Sequence, residues 1–157
     1  MPKGRCVVTK AGWLKGLSLL MGYACVAIGL FHVVLGVASV PGAESAGATV
    51  DSRERFYNAI FLGFGLAWIW VARQSPIPAS MVRWLSAVFL LGGVGRLFSI
   101  AVHGMPHWWQ LPLTALELVL PPVYFWLATA DERAKRTPAA TPEPAGVATR
   151  PAPRQDR

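Results

Sequence analysis

Charge is scarce in this sequence, and the scarcity is uneven. Only 15% of its 157 residues are charged, while 54% are hydrophobic. Between Gly16 and Val40 there is no Asp, Glu, Lys or Arg, and His32 is the one side chain there that could carry charge. Runs of this kind fit membrane spans, which need about 20 mostly apolar residues. Cysteine is scarce too. Cys6 lies in a polar, basic leader and Cys25 deep in an apolar run, so no disulfide between them is expected and neither reports a redox compartment. Signatures of catalysis are missing: there is no nucleophile elbow, phosphate loop or metalloprotease motif. Gly92-Gly93-Val94-Gly95 lacks the third glycine and the strand-turn-helix setting of a dinucleotide site, and close helix packing explains it. His103 and His107 straddle Gly104 and Pro106, which breaks helical ligand spacing, and no cysteine or dense carboxylate cluster joins them. No metal site and no cofactor are expected on that basis. No internal repeat is evident.

What is present is a four-part apolar pattern. The expected organisation is all-α and polytopic: a basic leader over residues 1–12, a transmembrane domain over 13–130, and a disordered tail over 131–157. Spans are expected at about 16–40, 53–72, 82–102 and 111–129. The first is too long for a typical signal-peptide core of about 7–15 residues, although Gly36 and Ala38 are small enough to suit a peptidase, so cleavage near 38 stays an alternative. Pro76 and Pro78 mark a tight connection after the second span. Pro121-Pro122 should kink the fourth, because each removes an amide donor and crowds the preceding turn. The tail is mostly Pro, Ala and Thr with scattered Arg, too polar to bury a core.

The net charge of +7 follows this topology rather than a nucleic-acid site. Lys3, Arg5, Lys10 and Lys15 precede span one, Arg73 and Arg83 flank the connection between spans two and three, and Arg133, Lys135 and Arg136 follow span four. The opposite loops offer only Arg53 and Arg55 among Glu44, Asp51 and Glu54. Both termini are therefore expected in the cytoplasm. Trp13, Trp68, Trp70, Trp84 and Trp126 would mark the inner interface, and Trp108 and Trp109 the outer one.

Each span also carries one strongly polar residue. Counted from the outer ends at about 1.5 Å per residue, Arg96 and Glu117 lie roughly 9 Å deep, Asn58 roughly 8 Å and His32 roughly 12 Å. The helical faces agree. Ser18, Gly22, Cys25, Gly29, His32, Gly36 and Ser39 recur at steps of four and three on span one. Gln110, Thr114, Glu117, Pro121 and Tyr124 do so on span four, and Gly92, Arg96, Ser99 and His103 share a face of span three. We therefore expect a polar layer in the outer half, with Arg96 and Glu117 as an ion pair and His32 and Asn58 hydrogen-bonding to it. Arg55, Ser99, His103 and His107 would stand at its periphery. Such a layer can equally be structural, fixing one packing of the helices.

At these residues the sequence resembles a family of small bacterial four-helix integral membrane proteins, domain of unknown function 4345. The resemblance rests on Gly29, His32 and Gly36; on Arg55-Phe56-Tyr57 with Gly63 and Gly65; on Gly93 to Arg96 with Ser99 and Gly104-Met105-Pro106; and on Glu117 with Pro121. It covers roughly residues 12–130 and leaves out the tail. It implies a four-helix membrane fold and no activity. More distantly the chain is similar to DoxX-type proteins, some linked to quinone or redox complexes, but no residue here carries that chemistry.

Three functions compete. The first is a non-enzymatic accessory subunit or a binding module for a lipid or small amphiphile, in a bacterial inner membrane, with a membrane-protein partner or a second copy and no nucleic acid. The second is a small proton-coupled transporter using Glu117 and Arg96. The third, an enzyme using His32 with Glu117, ranks last, since a base without a nucleophile, metal or cofactor is no mechanism.

Overall fold

The computed structural model describes residues 10–43 and 46–136. Four long helices run antiparallel: α1 (Lys10–Leu35), α2 (Ala48–Arg73), α3 (Ala79–His103) and α4 (Gln110–Arg136), with a short 3-10 helix at Gly36–Ser39. Each of the four is long and apolar enough to cross a membrane. Large apolar side chains such as Leu20, Leu91, Phe98 and Val34 point outward, as a lipid-facing surface requires.

The helices pair as two hairpins, α1 with α2 and α3 with α4, each in contact along its length. Apolar burial drives little association in lipid, so close backbone approach must supply much of the contact. Gly22 and Gly65 supply it in the first hairpin. A Cβ at Gly65 would stand 2.7 Å from the Val26 amide nitrogen, and one at Gly22 would stand 2.9 Å from the Gly65 carbonyl oxygen. Gly29 is similarly pressed against Leu62 and the Asn58 carbonyl. In the second hairpin Gly93 lets α3 rest on Glu117 and Leu118.

Among the described residues, buried contact between the hairpins gathers at one end, where α1 begins and α4 finishes. Leu14, Met21, Cys25, Trp68, Val71, Ala79, Val82, Tyr124, Leu127 and Ala128 form one buried cluster there. Trp68 lies 4.6 Å from Tyr124 between ring centroids, and Phe64 stacks on Phe89 at 6.1 Å. The Tyr124 hydroxyl donates to the Leu17 carbonyl at 2.8 Å. Trp68 therefore belongs to the core and not to an interfacial belt, whereas Trp13, Trp70, Trp84 and Trp126 are exposed.

Several expected boundaries change. The helix of the fourth span does not stop before 131; it continues through residues 131–136, so the tail cannot be assigned from 131. Charge fixes this extra turn and more. Arg83 donates to Glu132 at 2.6 Å, and Lys135 pairs with the buried Asp131 at 2.5 Å. α1 begins at Lys10, inside the expected leader, and α2 begins at Ala48 rather than near 53. The remainder of the leader, with Cys6, and residues 137–157 lie outside the described residues. Pro121 and Pro122 stand inside α4, and the helix carries on past both.

Candidate functional site

The seam read on span four is the buried face of α4: Thr114, Glu117, Pro121 and Tyr124 are all buried. Glu117 points from it toward α3. Arg96 reaches back across the hairpin, and its Nε donates to Glu117 Oε2 at 2.8 Å. The pair is asymmetric in exposure. The Glu117 side chain is 12% exposed and that of Arg96 36%. The carboxylate is thus enclosed by its own hairpin, while the guanidinium lies at the hairpin's surface.

That surface lines a cleft. α2 has no buried residue before Gly65, and α3 has none after Gly93. Past the Phe64–Phe89 stack the hairpins therefore diverge, and a space of about 810 Å³ opens between them. Gly92, Gly95, Arg96, Ser99 and Ile100 of α3 line it, with Pro106 of the connecting loop, Gln110 and Thr114 of α4, and Tyr57 alone from α2. Two glycines make room for it. A Cβ at Gly95 would meet nothing within 4 Å, and one at Gly92 would meet only Glu117 Oε2, at 3.9 Å.

His32 and Asn58 do not join the ion pair. His32 Nδ1 lies 2.5 Å from Ser39 Oγ, whose own proton goes to the Gly36 carbonyl. The imidazole must therefore be the donor in that contact. Asn58 donates to the carbonyl and the side chain of Glu54, one turn back on its own helix. Both residues find partners within the first hairpin, and the expected four-residue layer reduces to Arg96 with Glu117.

The peripheral residues divide as well. Ser99 lines the cleft. Arg55 instead closes the end of α1, donating from one amino group to the Val33 and Val34 carbonyls and from Nε to Asp51. Asp51 in turn accepts from the Val37 amide at 2.9 Å. This clamp satisfies carbonyls that a helix end leaves open. It also explains Gly36, which has φ 58° and where any Cβ would run into Asp51 and Arg55. His103 and His107 are exposed at the far end, His107 beside Trp108. Among the described residues no three His, Cys, Asp or Glu side chains gather to hold a metal ion.

Sequence reasoning missed three contributors. Tyr57 was passed over for its more polar neighbour Asn58, although the two face different ways on a helix. Gln110 and Thr114 were placed on the correct face of span four but not in the site, and their spacing of four and three to Glu117 was the available signal.

Neither a search of curated proteins nor one of solved structures found a match. A family comparison did, over residues 13–128, which take in α2 and α3, most of α1 and α4, and every residue of the cleft. The chain belongs to the DUF4345 family, a domain of unknown function.

Proposed function

We propose that this protein is a non-enzymatic membrane binding module, in which a lipid or small amphiphile lies in the cleft between the two hairpins. The observation that carries the reading is the cleft itself: about 810 Å³, bounded by lipid-facing helices and lined by an arginine, hydroxyls and glycines. Sites for small molecules are usually concave, mostly apolar and furnished with a few placed polar groups, in the range of about 300–1,000 Å³. The distribution of Lys and Arg supports cytoplasmic termini, and with that orientation the cleft would open in the outer half of a bacterial inner membrane. A ligand held there could be presented to a partner membrane protein or to a second copy, as an accessory subunit would do. Proton-coupled transport has less support, because the residues lining the cleft include Arg96 and not Glu117.

Native mass spectrometry of gently extracted protein tests this. Wild-type protein should retain a mass adduct of lipid size, together with any partner subunit. Gly95→Phe should fold, since nothing stands within 4 Å of its Cβ, and should lose the adduct because the ring fills the cleft. Equal retention by the two proteins would place the bound species elsewhere and sink the reading.

A further inference from the structure

We infer that the head of the ligand is an anionic oxoacid group, a phosphate or a carboxylate, seated on the amino groups of Arg96; this rests on the cleft being an amphiphile site. A guanidinium has five N–H donors. In Arg96 one is spent, from Nε to Glu117, and neither terminal amino group has a hydrogen-bond partner among the described residues. Four donors of a permanent cation therefore remain at the wall of a cleft within an apolar bundle. An arrangement of this kind is costly unless something accepts those protons.

The ion pair turns its two ends in different directions. The carboxylate is enclosed between α3 and α4, where Gly93 brings the helices together. The guanidinium is the more exposed partner and is the one lining the cleft. The pair is neutral as a whole, yet it shows its positive end to an entering molecule. Glu117 holds the guanidinium by Nε, which leaves the two amino groups free for a head group with paired oxygens, the geometry arginine prefers for phosphate and carboxylate. Tyr57, Ser99 and Gln110 line the same space and carry hydroxyl and amide donors for further oxygens. No acid is among the described lining residues.

The rest of the molecule is argued from the walls. Gly92 and Gly95 put no side chain on the α3 wall, and the apolar Ile100 lines the same space. The head would thus bind at Arg96 while its chains lie in the gap between the hairpins. Because Tyr57 is the one lining residue from the first hairpin, the ligand would also bridge two hairpins that otherwise touch at the opposite end.

The test measures binding of three probes to the full chain in dodecyl maltoside micelles, whose heads carry no anionic group: dioleoylphosphatidic acid, dioleoylglycerol and inorganic phosphate. Phosphatidic acid should bind at least about tenfold more tightly than dioleoylglycerol, because hydrogen bonds to a charged group are stronger than those to a neutral one. That ratio needs no variant. Arg96→Gln should abolish it, and Arg96→Lys should restore part of it. Inorganic phosphate should bind far more weakly than the lipid; equal binding would mean the site takes a free anion and would overturn the lipid source. Equal affinity for the two lipids, with Gly95→Phe still blocking both, would overturn the anionic head while the amphiphile site stands. If Gly95→Phe changes the binding of no lipid, the amphiphile site itself is refuted.

Discussion

The two ends of this bundle are built from the same four helices and do different things. At the end where α1 begins and α4 finishes, the hairpins are locked by Trp68 against Tyr124 and by a hydroxyl bond from Tyr124 to Leu17, around a cluster of buried side chains. At the other end each hairpin is still closed within itself, but among the described residues nothing comparable joins the two. Arg96 and Glu117 pair inside the second hairpin, Asp51 and Arg55 clamp inside the first, and a cleft separates them. The stable half thus holds the hairpins together, and the diverging half is left open to hold something else.

Glycine offers the largest contrast between these halves. Gly65→Phe should prevent recovery of folded protein or cost more than about 3 kcal/mol, the upper end for overpacking, because its Cβ would meet the backbone of α1, which cannot yield as a side chain can. Gly95→Phe, the same change in the open half, should leave the melting temperature within a few degrees of wild type. Thermal melting in one detergent compares them. Similar losses from the two substitutions would break the distinction between a packed half and an open one.

A smaller effect is expected from the ion pair. Glu117→Gln strands a guanidinium that stays charged at any working pH, whereas Arg96→Gln leaves a carboxyl that can take up a proton. Glu117→Gln should therefore destabilise by about 1–3 kcal/mol, and Arg96→Gln by less. Melting of the two variants in the same detergent decides the order. Equal or reversed losses would mean that the pair does not hold the second hairpin as described.

Much of this was legible in the sequence, and what was not has physical reasons. Glycine and polar seams at steps of four and three report a buried face directly, and α4 buries Thr114, Glu117, Pro121 and Tyr124 as that spacing demands. Matched depth in two helices joined by a short loop brought Arg96 to Glu117. Depth alone misled for His32 and Asn58, because a nearby local acceptor outcompetes a distant one: Ser39 for the first and Glu54 for the second. Trp68 shows the same limit, since a tryptophan near a span end suits either an interface or a core. The Asp131–Lys135 and Arg83–Glu132 contacts extend α4 past the point where composition turns polar. The cleft was least legible, because it arises from the divergence of two hairpins, and no pattern within one helix records that.

The most direct test combines both halves of the account: thermal melting of wild type and Gly95→Phe, each with and without dioleoylphosphatidic acid. Without lipid the two should melt alike. With lipid at about 100 times its dissociation constant, wild type should gain about 2.7 kcal/mol of stability, read as an upward shift, and Gly95→Phe should gain nothing. An equal shift in both proteins would contradict the assignment of the cleft as the binding site.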